Sequence, residues 1–192
     1  MSGKKPVLTD IKELRKRARA NMERGAVTGS YELDPKAVCD LLNTALATEI
    51  VCVLRYKRHF FAAKGLNKDA VAAEFLQHAN EEQGHADMIS ERISQLGGEP
   101  DLNPATLTSR SHSEYVEAED LISMIKENLI AERIAIESYT EMIRFLDDKD
   151  VTTRRMLEEI LAVEEEHAND MLDLIDQLVG TGKDGLPKGL VK

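Results

Sequence analysis

The chain has no tryptophan, only 4% aromatic residues, five prolines and two cysteines among 192 residues. Scarce aromatics, with Ala, Leu, Ile and Glu recurring throughout, argue against sheets, which draw on aromatic and β-branched side chains, and for straight helices. No run of about eighteen uncharged apolar residues occurs, and the polar start MSGKKPVLTD has no apolar core behind it. Neither a membrane span nor a secretory signal is read, and a cytoplasmic address is expected. Cys39 and Cys52 fall on one predicted helix, roughly 20 Å apart at 1.5 Å per residue. They cannot bridge within the chain and read as small buried residues in a reducing compartment. With 42% hydrophobic content, one all-α domain can bury its core without disulfide support.

Charge is plentiful but unevenly spread. Residues 1–24 carry eight basic groups (Lys4, Lys5, Lys12, Arg15, Lys16, Arg17, Arg19, Arg24) against Asp10, Glu13 and Glu23, a net +5. This leaves −15 on the rest of a chain whose total is −10. An acidic body suits cations and disfavours nucleic acid, and the basic arm is the one feature suited to phosphate.

Local signals divide the chain into a basic arm with a short helix (1–30), a helical body (31–179) and a flexible tail (180–192). Asp10 and Glu13 have capping-box spacing ahead of Leu14, with Gly25 and Gly29 ending the arm helix. Asp34-Pro35 reads as an N-cap with proline at the first helical position, opening helix A over about 35–64. Helix B follows Asn67 and runs to Leu96, where Gly97, Gly98 and Pro100 stop it. Helices C (about 119–146) and D (about 151–179) flank the turn Asp147-Asp148-Lys149-Asp150. The connection between B and C, rich in Pro, Asn, Ser and Thr, is too long for a tight turn and predicts a crossover along a four-helix bundle.

Each helix carries a core stripe with steps of four and three residues. The stripes are Leu42, Leu46, Glu49, Val53, Tyr56, Phe60 on A; Val71, Phe75, His78, Glu82, His85, Ile89 on B; Ile125, Leu129, Glu132, Ile136, Tyr139, Ile143 on C; and Leu157, Ile160, Glu164, His167, Met171, Leu174, Leu178 on D. Every stripe is apolar except at its middle. Four buried glutamates cost several kcal/mol each, about the effective penalty for an unpaired ion, and no Lys or Arg lies on the stripes beside them. Protons or metal must neutralise them, and two imidazoles in the same layers point to metal, because Glu with His is a transition-metal ligand set. Glu82 and Glu164 are each followed three residues on by histidine, so a carboxylate and an imidazole share one helix face, while Glu49 and Glu132 add a carboxylate from each preceding helix. The two halves are near copies. The candidate ligands are therefore Glu49, Glu82, His85, Glu132, Glu164 and His167.

Among the neighbours, His78 reads equally as a third ligand or as a hydrogen-bonded core histidine. Tyr56 and Tyr139 suit a hydrogen bond or an electron delivered to the site, with core packing the simpler reading. Cys52 reads as packing. Glu137, the rival to Glu132, falls off the stripe.

These residues resemble the ferritin-like superfamily, most closely the bacterioferritins and bacterioferritin-like mini-ferritins, over about residues 35–179. The resemblance rests on Glu49 with Tyr56, Glu82-x-x-His85, Glu132, and Glu164-x-x-His167. It implies a ferritin-like four-helix bundle with two irons per chain, Glu82 and Glu164 bridging them, Glu49 and His85 completing one, and Glu132 and His167 the other. Haem-binding bacterioferritins place methionine directly after the helix B glutamate. Gln83 stands there, so haem is not expected. Two cysteines are too few for a rubrerythrin iron domain, and because both lie on one helix the disulfide of mini-ferritins with a cysteine pair beside the metals is not expected. The function implied is a ferroxidase acting on Fe(II) with dioxygen or hydrogen peroxide, serving iron storage or detoxification in a homo-oligomer of 12 or 24 chains. The alternatives are a DNA-protecting mini-ferritin, an oxygen-activating hydroxylase and a manganese catalase, since ligand spacing does not choose iron over manganese.

Overall fold

The computed structural model describes residues 9–65 and 68–180, and the flexible tail expected beyond Gly180 lies outside them, as do Lys4 and Lys5 of the arm. The described residues form α1 (Ile11–Arg17), a 3-10 turn (Met22–Arg24), α2 (Pro35–Ala62), α3 (Lys68–Gln95), α4 (Leu107–Arg110), α5 (Leu121–Leu146) and α6 (Val151–Val179). The caps account for these boundaries. Asp34 accepts from the Lys36 amide with Pro35 at the first position, Asp120 from Ser123 and Asp150 from Thr153, each satisfying an amide that the helix leaves free. At the end of α3 the Gly98 amide donates to the Ile93 carbonyl and the Gly97 amide to that of Ser94. This Schellman turn needs the left-handed backbone that Gly97 adopts at φ 82. Gly98 must also be small, because a Cβ there would stand 2.6 Å from the Cys39 sulfur.

The long helices pack as two hairpins, α2 with α3 and α5 with α6. The crossover between them carries α4, absent from the sequence reading, which lies on α2 and buries Leu107 beside Ala47 and Val51. The result is an all-α four-helix bundle. Two apolar clusters fill its ends: one contains Leu42, Leu46, Ile89, Tyr139 and Leu157, the other Tyr56, Phe75, Ile125 and Met171. The polar middle lies between them.

Three expectations need correction. The arm helix ends at Arg17 rather than at Gly25, because α1 buries no residue and a helix without a packed face is too short to sustain itself. Its capping is one-sided: Asp10 accepts from the amides of Lys12 and Glu13, while the Glu13 carboxylate lies toward Arg17. On α5 the stripe is rotated. Leu129, Ile136 and Ile143 are half-buried, whereas Asn128, Ala131, Ala135, Met142 and Leu146 are buried: Asn128 bonds Arg55 and His59, Ala131 meets Ser113 of the crossover, and Ala135, Met142 and Leu146 join the cluster of Val27 and Leu42. Ile130, Ile134 and Ile136 line an outward groove of 630 Å³ along α5.

On length and composition α2 passes as a membrane span, with mean hydropathy 1.7 over its most apolar stretch, 61% of which is buried inside the bundle. Glu49 sits at its centre, as befits a core helix.

Candidate metal centre

All six candidate ligands converge at mid-bundle, one residue from α2 (Glu49), two from α3 (Glu82, His85), one from α5 (Glu132) and two from α6 (Glu164, His167). Their donor atoms form two groups, in each of which all atoms lie within 4.8 Å of one another. One comprises Glu49, Glu82, His85 and Glu164, the other Glu82, Glu132, Glu164 and His167. Glu82 and Glu164 belong to both. The four glutamates and His167 are at most 1% exposed, and His85 is 6% exposed.

His85 Nδ1 lies 3.3, 3.2 and 3.0 Å from carboxylate oxygens of Glu49, Glu82 and Glu164. His167 Nδ1 faces Glu82 at 3.6 Å and Glu164 at 3.8 Å, while its Nε2 lies 2.8 Å from Glu81. Glu81 escaped the sequence reading. In the neutral ring that a metal requires, a carboxylate on the outer nitrogen makes that nitrogen the proton carrier and leaves Nδ1 to offer its lone pair inward. Tyr139 on α5 donates to Glu49 on α2, and Tyr56 on α2 donates to Glu132 on α5. The tyrosines thus do more than fill the core.

Even so, Glu49 Oε2, Glu82 Oε1, Glu132 Oε2, both oxygens of Glu164 and Nδ1 of His167 have no hydrogen-bond partner. So many orphaned buried polar atoms would be costly in a bundle built for stability alone. Carboxylate and imidazole donors facing one space fit two divalent cations, whose +4 balances four carboxylates.

Protons carry this balance in the metal-free chain. Burial and then the Glu82 charge push Glu49 up to about 8, and the same two causes raise Glu132. Burial, with Glu82 and Glu49, lifts Glu164 well above the carboxylate range. Burial also opposes the charge on Glu82, but the neighbouring imidazoles of His167 and His85 outweigh it and hold the carboxyl far below its ordinary value. In His85 the carboxylates of Glu164, Glu49 and Glu82 overcome burial and raise the imidazole strongly. In His167, Glu82 overcomes burial and raises it to about 9.

An opening of 260 Å³ between α3 and α6 reaches the centre, lined by Gln77, Glu81, His85, Glu166, His167 and Asp170 among others. Glu137 is exposed on the outside of α5. Cys39 and Cys52 are buried free thiols. Behind the centre, Arg55 is fully buried and donates to Asn128 at 3.0 Å, to the Glu114 carbonyl at 3.0 Å and to Cys52 Sγ at 3.6 Å. His59 joins Asn128 to the Val116 carbonyl. This network ties the crossover to the bundle. Its sequence signal, Arg55 and His59 one turn apart beside the stripe, reads as surface until the crossover is placed over it.

The ferritin family, described as a ferritin-like domain, matches residues 39–180. The chain belongs to the ferritin-like family. Solved structures similar to this ferritin-like chain include a dodecameric thioferritin, the bacterioferritin-related protein from Bacteroides fragilis, at 35% identity and a TM-score of 0.73, covering 76% of this chain and 88% of that one. The bacterioferritin of Desulfovibrio desulfuricans is 25% identical over 142 residues, 73% of this chain and 75% of that protein. A nutrient stress-induced DNA-binding protein from a Synechococcus species is 29% identical over 138 residues, 68% of this chain and 76% of that protein.

Proposed function

We propose that this ferritin-like chain is a ferroxidase that takes two Fe(II) per chain at Glu49, Glu82, His85, Glu132, Glu164 and His167. The observation that carries this reading is the sharing of Glu82 and Glu164 by two otherwise separate donor groups, the arrangement that two bridged cations require. Glu49 with His85 would complete one position and Glu132 with His167 the other. Two Fe(II) supply two electrons: with two protons, they reduce hydrogen peroxide to two waters or dioxygen to hydrogen peroxide, leaving two Fe(III). Carboxylate oxygens suit the oxidised ions, and imidazoles held by outer partners such as Glu81 fix the geometry. Manganese fits the same donors.

Storage requires a closed oligomer, since one bundle has no room for mineral. Twelve or twenty-four chains in the cytoplasm is the assembly proposed, supported by the dodecameric bacterioferritin-related protein and by exposed Leu54, Phe61, Ile130 and Phe145, apolar surface of the kind assembly buries. The test is anaerobic loading followed by oxidant, with ferric absorbance and sizing chromatography. About two Fe(II) per chain are expected in a fast phase, with further iron remaining soluble in an assembly far above 21.4 kDa. Glu82→Ala and Glu164→Ala should lose more than Glu49→Ala. Precipitation of all iron beyond two per chain by a monomer or dimer would exclude storage and favour oxidation of an organic substrate. Metal analysis of protein purified without added metal separates iron from manganese.

DNA protection is a second reading, favoured by Lys12, Arg15, Lys16 and Arg17 on an α1 that buries nothing and by the name of the Synechococcus relative. The −15 body opposes it. No gel shift is expected at physiological salt, and a robust one, lost on deleting residues 1–24, would reverse this ranking.

A further inference from the structure

Outside the six-residue centre, the buried Nε2 of His78 also lacks a hydrogen-bond partner. His78 is fully buried, its Nδ1 lies 3.1 Å from the Tyr56 hydroxyl, and its ring stacks on that of His167 with centroids 3.9 Å apart. Tyr56 has one proton and donates it to Glu132, so the proton in the His78–Tyr56 bond comes from Nδ1. In the neutral ring Nε2 is then a bare lone pair. It has no hydrogen-bond partner, yet it faces Glu74 Oε1 and Asp170 Oδ2, each at 3.4 Å. A lone pair aimed at two carboxylates is repulsive, and either a proton or a cation relieves it. A proton would draw one oxygen into a hydrogen bond, and neither contact has that geometry. The donor atoms of Glu74, His78 and Asp170 lie within 4.8 Å of one another, and two carboxylates with an imidazole form a transition-metal ligand set.

We propose that Glu74, His78 Nε2 and Asp170 form a third divalent-cation site, at the rim of the opening between α3 and α6. Glu74 and Asp170 have side chains 32% and 38% exposed, so an ion enters from solvent, while His78 also belongs to a group with Glu132 and His167. The site therefore stands between solvent and the inner centre. It uses none of the six central ligands and does not depend on the ferroxidase reading.

Zn(II), which is redox-inert, tests it. Full-length chain equilibrated with excess Zn(II) and then desalted should retain three ions, the E74Q/D170N double variant two, and the E49Q/E164Q double variant one. Crystals soaked in Zn(II) should show anomalous density bounded by His78 Nε2, Glu74 and Asp170. Because both outer residues are partly exposed, E74Q/D170N should fold as the wild type does by circular dichroism. A wild-type count that E74Q/D170N leaves unchanged, or anomalous density absent from that position, would overturn the proposal. A single ion abolished by E74Q/D170N and kept by E49Q/E164Q would uphold it while removing the inner centre.

Discussion

Tyr56 on α2 donates its phenolic proton to Glu132 on α5, the carboxylate of the opposite hairpin. Tyr139 returns the arrangement, reaching from α5 to Glu49 on α2. Each tyrosine lies seven residues after a candidate ligand on its own helix and serves the corresponding ligand on the other, so the near-repeat in sequence becomes an exchange across the bundle.

Tyr56→Phe and Tyr139→Phe should each keep the fold but destabilise the metal-free protein by about 1–3 kcal/mol, the usual cost of stranding a buried acceptor. Saturating Zn(II) should shrink that difference if the freed carboxylate gains a cation instead. Urea melts with and without Zn(II) measure both numbers. Equal losses in the two conditions would mean that the phenols do not serve the site.

Glu81 orients His167 from outside. Glu81→Ala should lower affinity for Co(II) about 10- to 100-fold, the range found when a ligand histidine loses its outer partner, with the fold unaffected at this part-exposed position. Calorimetric titration provides the comparison, and Glu81→Gln should recover part of the loss by accepting the same proton. Wild-type affinity in Glu81→Ala would contradict the orienting role.

Cation binding should release protons. Below about 9 His167 is protonated and below about 8 Glu49 is as well, whereas a metal needs the neutral imidazole and the ionised carboxylate. Affinity should therefore rise with pH through this window and fall towards pH 6, by about tenfold per pH unit for each proton displaced. Co(II) titrations at pH 7 in buffers of different ionisation enthalpy count those protons. A heat independent of buffer would count none.

Asp150, the N-cap of α6, holds the end of the bundle. Its carboxylate accepts from Arg92 at 3.0 and 3.2 Å, from Tyr31 at 2.7 Å, and from the amide and hydroxyl of Thr153. Burial opposes its charge, but these bonds outweigh that and hold the carboxyl below its ordinary value. A carboxyl lowered on folding stabilises the protein above its unfolded-state pKa, and the contribution disappears as pH falls through the folded value. Asp150→Ala should cost about 3–5 kcal/mol at pH 7, as expected on removing one partner of a buried ion pair. The penalty should shrink under strongly acidic conditions. Chemical denaturation at both pH values gives the two figures, and a loss below 1 kcal/mol at pH 7 would show the network to be slack.

The four long helices, the Asp34 cap, the glycine stop after helix B and the six convergent residues were legible in the sequence because their signals are local. Apolar period, proline and glycine punctuation and N-cap side chains act within a few residues, and four glutamates on apolar stripes are conspicuous since burying them is costly. Tertiary structure alone decided what depends on helix rotation and on where the crossover lies. It paired Tyr56 with Glu132 and His167 with Glu81, and it buried Arg55 and His59 against Asn128. It also joined Arg92 and Tyr31 to Asp150 and aimed His78 Nε2 at Glu74 and Asp170. These partners are distant in sequence or on different helices, apart from Glu74, one turn before His78, and the periodicity of one helix does not specify which side of its neighbour it will face.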